Sequence, residues 1–183
     1  MTRPTRRLAW PALAWPALAW PAFAGLVLVF AVTHPLWHVR AAQLVGDFGS
    51  HTLYQSFIGL GAVLLLWRGW RRGAPHLLWW PPAVALATGV CVEGLKRATR
   101  LPRPDGEPTG FPSGHTSFVF AIAWLLTRTY PRRAPLWYAV AVSVGWSRIE
   151  GHAHFPYQVL CGAVLGTLIG VCISRTLTPK AAP

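Results

Sequence analysis

Four basic residues crowd into a nine-residue stretch near the middle of the chain. Lys96, Arg97, Arg100 and Arg103 all lie within residues 96–104. Cations packed so closely repel one another unless an anion binds among them. The stretch therefore predicts an anion-binding loop, although a basic segment that attracts lipid headgroups loosely would have the same composition.

A second segment, residues 111–117, has the composition of a phosphate-binding helix start. Ser113 is a typical N-cap residue, and the apolar stretch of a helix follows it. Free backbone N–H groups at a helix start attract anions, and Gly114 lets the backbone approach a phosphate closely. His115 would then stand beside the bound group. The other interpretation of His115 is a histidine that merely forms hydrogen bonds at the helix start.

The third segment, residues 147–158, combines a phosphate ligand with a second histidine. Arg148 offers several donors to phosphate oxygens, and His154 follows it in the loop before a helix. Pro156 suits the first turn of that helix. If the helix begins at or just before His154, Gln158 lies four residues on along the same face, where its amide can bond the imidazole.

Together the three segments resemble the three-part signature of the type 2 phosphatidic acid phosphatase (PAP2) superfamily. Their order, their spacings and their expected position on one membrane face agree with it. The matching residues are Lys96 with Arg103-Pro104, Pro112-Ser113-Gly114-His115, and Ser147-Arg148 with His154. The motifs cover residues 96–154, and the plan of membrane spans given below extends the resemblance over nearly the whole chain.

The resemblance implies a role for each matching residue. His154 would be the nucleophile that forms a phosphohistidine, and His115 would be the general acid that protonates the leaving oxygen. The phosphate oxygens would be held by Lys96, Arg103, Ser113, Gly114 and Arg148. This scheme uses no metal ion and no other cofactor.

Gln158 departs from the common pattern of the family, which has an aspartate four residues after the nucleophile. An amide fixes the tautomer of the imidazole but supplies no charge, so weak activity is one expected consequence. The surroundings of Gln158 are similar to the glucose-6-phosphatase branch, where a glutamine accompanies an active enzyme. We therefore expect Gln158 to orient His154, with Glu150 as a nearby carboxylate that could act in its place.

The composition of the 183-residue chain is that of a membrane protein. Apolar residues make up 53% of it and charged residues only 12%. The net charge of +12 does not indicate a nucleic-acid-binding protein, because the basic residues are dispersed between long apolar stretches. Hydropathy predicts an all-α membrane bundle of about six helices, with spans near residues 14–33, 51–67, 77–95, 116–130, 135–147 and 156–175. The short fourth and fifth spans fit a polar pocket cut into one membrane face.

The N-terminal region resembles a signal peptide only in part. Its apolar run continues through residue 32, so we expect a retained first span. Residues 9–23 repeat a Trp- and Pro-containing pentad that would kink a regular helix. Residues 1–20 are therefore interpreted as an interfacial lead-in, and residues 21–178 as the PAP2-like transmembrane phosphatase domain.

The distribution of basic residues predicts the orientation in the membrane. With the N-terminus inside, eleven Lys and Arg residues lie on the inner side and six on the outer side. Both termini are therefore expected in the cytoplasm, and the three motif segments on the outer face of the plasma membrane. Five of the six outer basic residues lie in these segments, where a bound anion explains the exception.

Neither the histidines nor the cysteines indicate a metal site. His152 with His154, and His34 with His38, are spaced for shared coordination, but no acidic or thiol ligands accompany them. The three cysteines lie in apolar stretches without paired spacing, so we expect them to be small core residues.

Three functions remain open on the sequence alone. The first is a phosphatase that acts on a membrane lipid phosphate or a polyprenyl diphosphate, admitted sideways from the bilayer. The second is hydrolysis of a sugar phosphate, which the surroundings of Gln158 suggest. The third is a low-activity membrane protein that binds lipid phosphate. A haloperoxidase shares the phosphate-site signature, but the multiple predicted spans disfavour this soluble class of enzyme.

Overall fold

The computed structural model describes residues 52–178, in which helices are the only regular secondary structure. The helices are α1 (Tyr54–Arg72), α2 (His76–Thr99), α3 (Gly114–Thr129), α4 (Ala134–Glu150) and α5 (Pro156–Thr176), with a 3₁₀ turn at Pro131–Arg133 before α4. All five α-helices lie where hydropathy predicted a span. The first expected span, residues 14–33, lies outside the described residues, as does the lead-in.

The central helix of the described bundle is α3, which packs against each of the other four α-helices. Val119, Ala121 and Leu125 of α3 are completely buried, because each side of this helix meets a neighbour. With 16 and 17 residues, α3 and α4 are as short as expected. At 1.5 Å per residue they extend about 24–26 Å, less than the roughly 30 Å of bilayer hydrocarbon.

A stripe of glycines brings α5 very close to α3. Gly162, Gly166 and Gly170 recur every fourth residue along α5. A Cβ atom at Gly162 would lie 2.6 Å from the carbonyl oxygen of Ser113, and one at Gly166 would overlap the backbone of Ser117. The contacts advance in the same direction along both helices, from Ser113 to Ser117 on α3 and from Gly162 to Gly166 on α5. The two helices therefore run parallel, and their N-termini lie at the same end. Small residues of this kind let membrane helices approach closely.

The outward surfaces of α1 and α2 are apolar. Trp70, Trp79 and Leu86 are among the large apolar side chains that lie exposed on these helices. Two of the described helices, α2 and α5, are both long enough and apolar enough to cross a bilayer. Large apolar side chains exposed in this number are unfavourable in water. The described part of the chain therefore has the surface of a membrane protein.

The cysteines do not lie in the core, so that prediction was wrong. Cys91 and Cys172 are exposed and Cys161 is half-buried, and all three are free thiols. An apolar membrane helix carries apolar residues on every side. Hydropathy therefore cannot distinguish the side that faces the core from the side that faces outward.

The contact between α3 and α5 can be tested by adding one methyl group. We expect Gly166→Ala to destabilise the protein by about 1–3 kcal/mol, because the new Cβ forces the two backbones apart. Gly89→Ala on α2 is the matched control, since a Cβ there meets nothing within 4 Å. Its stability should be unchanged or higher, because alanine is the better helix former. Thermal unfolding in detergent measures both, and equal Tm values for the two variants would contradict the close contact.

Candidate active site

The side chain of Gln158 is completely buried, and hydrogen bonds fix its orientation. Its Oε1 accepts the backbone N–H of Phe155 at 3.1 Å and lies 3.1 Å from Nδ1 of His154. Its Nε2 donates to the carbonyl oxygen of Pro102 at 2.8 Å and to the hydroxyl of Tyr157 at 3.1 Å. A backbone N–H can only donate and a carbonyl can only accept, so the amide has a single possible orientation.

The fixed amide determines which nitrogen of His154 carries the hydrogen. Since Oε1 of Gln158 accepts, Nδ1 of the neutral imidazole must be the donor, and the lone pair is on Nε2. The backbone is anchored as well, because the N–H groups of Ala153 and His154 both donate to the carbonyl oxygen of Arg148. His154 therefore has one tautomer, in a loop tied to Arg148 of the third motif segment.

The contact between Gln158 and His154 arises differently from the expectation. Helix α5 begins at Pro156, with Phe155 as its N-cap, so His154 lies just before the helix. Gln158 is the third residue of the helix, and its side chain reaches back to the N-cap N–H. The imidazole thus joins a helix cap, whereas a contact along one helical face was expected. Pro156 occupies the first helical position, as predicted.

Burial is the main influence on the titration of His154. It lowers the pKa of the imidazole to about 4, since a charged ring would lose its hydration. Hydrogen bonds with the Gln158 side chain and with the backbone of Gly110 act in the opposite direction. The positive charges of Arg148 and Arg103 lower the pKa further. Above about pH 4 the ring is therefore neutral, and Nε2 keeps its lone pair.

Two of the predicted phosphate ligands lie near this ring, and a third lies near one of them. Arg103 and Arg148 are close enough for their charges to act on His154. Lys96, in the last turn of α2, is close enough to Arg103 for the two charges to repel. Within residues 52–178, Nε of Arg103 is buried without a hydrogen-bond partner. A buried donor is costly when unpaired, so this group is suited to an anion that binds here.

The second motif segment reaches the same place at the start of α3. Ser113 is the N-cap residue, as predicted, and its backbone N–H donates to the carbonyl oxygen of Gln158 at 3.0 Å. Its hydroxyl does not cap the helix but accepts a hydrogen bond from Oγ1 of Thr116 at 3.0 Å. At Gly114, a Cβ would lie 3.3 Å from Cγ1 of Val92, so the helix start is packed tightly on α2.

His115 lies in the first turn of α3 and is only half-buried. Its ring contacts that of Tyr54 at the start of α1, with 4.4 Å between the ring centroids and 56° between the planes. Tyr54 also makes an edge contact with Phe118, one turn further along α3. No sequence motif singled out Tyr54, because it reaches His115 through the fold from a distant part of the chain.

Pro102 and Gly110 hold the first motif segment against Gln158, and neither was among the predicted site residues. A Cβ at Gly110 would lie 2.6 Å from Nε2 of Gln158 and 2.7 Å from the carbonyl oxygen of Pro102. The N–H of Gly110 donates to the carbonyl oxygen of Leu101 at 2.8 Å. Only glycine fits at this position. The Pro-, Asp- and Gly-containing residues 104–110 indicate a turn, but not what the turn contacts.

The other candidate ligands lie at the edge of the site or outside it. Glu150 is buried and accepts a hydrogen bond from the indole N–H of Trp146 at 2.8 Å, so Gln158 and not Glu150 is the partner of His154 Nδ1. His152 is exposed, and its Nδ1 lies 2.9 Å from the carbonyl oxygen of Glu150. Within residues 52–178 there is no group of three His, Cys, Asp or Glu residues that could hold a metal ion. His34 and His38 lie outside the described residues.

Comparison with known proteins found similarity over the part of the chain that carries the three segments. A family model described as the PAP2 superfamily matches residues 77–181. The lipid A 1-phosphatase of Porphyromonas gingivalis is 41% identical over 92 residues, which cover 48% of this chain and 20% of that protein. The bacitracin transport permease protein BcrC of Bacillus licheniformis is 41% identical over 70 residues, which cover 38% of this chain and 34% of that protein. The matched segments thus span only a fifth to a third of these curated relatives. No solved structure matches the chain.

The titration of His154 can be followed by NMR of protein labelled in its histidine rings, with the His154 signal assigned by its loss in His154→Asn. We expect this ring to stay neutral, with its hydrogen on Nδ1, down to about pH 4. In Gln158→Glu, a carboxylate beside Nδ1 should raise the pKa by roughly 1–3 pH units, because it stabilises the charged ring. Gln158→Leu adds no charge and should not raise it. Coincident titrations of the wild type and Gln158→Glu would show that the two side chains are not in contact.

Proposed function

Because the chain belongs to the PAP2 superfamily, we propose that it is a membrane phosphatase that cleaves a phosphate group through a phosphohistidine at His154. The observation that carries this proposal is the hydrogen-bond pattern of Gln158, which leaves the lone pair of a buried, neutral His154 on Nε2. A nucleophile toward phosphorus must be deprotonated and held in place. Two arginines near the same ring supply the positive field that an incoming phosphate requires.

In the first proposed step, Nε2 of His154 forms a bond to phosphorus while the bond from phosphorus to the leaving oxygen breaks. The electron pair of that bond stays on the oxygen, which takes a proton from His115. The hydrogen stays on Nδ1 of His154 and keeps its hydrogen bond to Oε1 of Gln158 throughout the step. Phosphorylated His154 therefore keeps its orientation. The step releases an alcohol, or a phosphate monoester when the substrate is a diphosphate.

In the second proposed step, a water oxygen attacks phosphorus and the bond to Nε2 breaks. The electron pair returns to Nε2 of His154, and a proton of the water passes to His115, which is then ready for another cycle. The products are inorganic phosphate and the starting enzyme. No metal ion is used in either step of this scheme.

The remaining predicted ligands are assigned to the phosphate oxygens. Arg103, whose buried Nε lacks a protein partner within the described residues, would donate to one of them. Lys96 and Arg148 would add charge around the developing transition state. Ser113 and Gly114 would present the start of α3, whose position against α5 is set by Gly162 and its neighbours in the stripe.

The proposed site lies on the outer face of the plasma membrane. The opposite end of the described bundle carries the basic residues Arg68, Arg71, Arg72, Arg128, Arg132, Arg133 and Arg175. Cytoplasmic loops are enriched in such residues, so this arginine-rich end would face the cytoplasm. With the proposed span at residues 14–33, both termini would also be cytoplasmic. The proposed phosphatase unit covers residues 21–178.

The proposed substrate is a membrane lipid phosphate or a polyprenyl diphosphate. Tyr157 stacks on Phe111 and on Phe155 at centroid distances of 6.3 Å and 5.9 Å. Phe155 and Tyr157 lie between His154 and Gln158 in the sequence. Phe155 and Tyr157 are exposed. Aromatic side chains at helix ends favour the level of the lipid headgroups. One relative bears the name of a lipid phosphatase, which supports the same substrate class.

A sugar phosphate is the second candidate substrate, favoured by the amide at position 158. Either substrate would use the same nucleophile and the same phosphate ligands, and would differ only in the group that leaves. Stacked aromatic rings such as those of Phe155 and Tyr157 offer apolar surface to either class of leaving group. The third candidate, a low-activity protein that binds lipid phosphate, keeps the ligands but not the turnover.

A substrate panel in detergent separates these candidates. It contains a phosphatidic acid, an isoprenyl diphosphate and glucose 6-phosphate, each assayed for phosphate release with and without a chelator. We expect the two lipids to be hydrolysed far faster than the sugar phosphate, without loss in the chelator. His154→Ala should lower the rate by more than about 10³-fold, because no other group replaces the nucleophile. The exposed His152→Ala is the matched control and should keep full activity.

Three results would contradict the proposal in different ways. Strong inhibition by the chelator would show that a metal ion takes part. Retained activity in His154→Ala would exclude this residue as the nucleophile. A wild-type protein that binds vanadate but releases phosphate from none of the substrates would belong to the third class.

A further inference from the structure

The geometry of the proposed reaction places His154 and the leaving group on opposite sides of phosphorus. In phosphoryl transfer, the attacking and leaving atoms lie roughly in line through the phosphorus atom. The group that protonates the leaving oxygen must therefore stand opposite the nucleophile. His154 lies before α5 and His115 lies in the first turn of α3, so the two histidines approach from different elements. What surrounds His115 then determines how the proton is delivered.

Tyr54 is a ring neighbour of His115 and comes from a third element, α1. The 4.4 Å between the two centroids is short, and the planes are tilted by 56°. The contact thus leaves little room for the imidazole to swing toward α1. The ring of Phe118 makes an edge contact with that of Tyr54 at a centroid distance of 6.4 Å, which restricts the tyrosine ring in turn. Tyr54 is itself half-buried, so the bundle holds it in place.

We propose that Tyr54 is a positioning residue whose ring holds His115 in the orientation from which it protonates the leaving group. This inference rests on the proposed phosphatase function, and it adds a residue outside the three motif segments. The ring limits the rotation of the imidazole and so reduces the entropy lost when the proton is aligned with the oxygen.

The proposal predicts a defect that depends on the leaving group. An alkyl oxygen leaves only when it receives a proton, whereas p-nitrophenol leaves readily as the anion. We expect Tyr54→Leu to lower kcat/KM for a short-chain phosphatidic acid by roughly 10-fold or more, and for p-nitrophenyl phosphate by less than about 3-fold. Tyr54→Phe keeps the ring and should retain near wild-type rates with both substrates. If Tyr54→Leu does not fold, Tyr54→Met fills a similar volume and takes its place.

Two further variants keep the outcome interpretable. Tyr138→Leu removes a ring that contacts Phe120 at 6.0 Å, away from both histidines, and should show no dependence on the leaving group. His115→Ala should show the same dependence as Tyr54→Leu, in stronger form. If His115→Ala is selective but Tyr54→Leu lowers both rates equally or neither, Tyr54 does not position the acid and the inference is overturned. Equal losses in Tyr54→Phe and Tyr54→Leu would overturn it too, because the hydroxyl and not the ring would then matter.

A different result would show that the proposed function is at fault. If His115→Ala lowers both rates equally, His115 is not the general acid, and the inference about Tyr54 falls with that role. A wild-type protein with no activity toward either substrate would contradict the proposed phosphatase function itself. A wrong inference about Tyr54 and a wrong proposed function therefore give different patterns of rates in the same assay.

Discussion

The hydrogen bonds of one buried residue, Gln158, connect the three motif segments of this protein. Gln158 accepts from Phe155 and faces Nδ1 of His154, while its amide nitrogen donates to Pro102 in the first cationic segment. Its backbone carbonyl accepts from Ser113 in the second. An amide has both a donor and an acceptor end, so it can join groups that a carboxylate, which only accepts, cannot join. The residue that departs from the family pattern thus ties the described site together.

The rest of the bundle keeps those groups within reach of the amide. The parallel approach of α3 and α5 is possible because Gly162 and Gly166 have no side chains, and it brings Ser113 to the start of α5. Gly110 similarly lets the first segment pass against Gln158. Buried polar groups at such a junction are costly if any partner moves, since an unpaired group loses both its water and its hydrogen bond. The close packing of the helices is therefore required to keep the buried polar groups of the site paired.

Local patterns predicted most of the described fold and several local features of the three motif segments. Hydropathy located all five α-helices, and the N-cap at Ser113 and the proline at position 156 followed from helix-end preferences. The contact between His154 and Gln158 was also expected from their spacing, although it forms through a helix cap. What sequence patterns could not predict depends on partners far apart in the chain. The carbonyl of Pro102 and the ring of Tyr54 carry no local sign of what they contact.

The central claim is that Gln158 holds the hydrogen of His154 on Nδ1, so that Nε2 is the atom that reacts. The most direct test is to trap the phosphorylated enzyme by rapid acid-free denaturation, locate the phosphate by peptide mass spectrometry and identify the phosphohistidine isomer by ³¹P NMR. We predict a single phosphorylated residue, His154, that carries phosphate on Nε2. Phosphate on Nδ1 of His154, or on any other residue, would contradict the account.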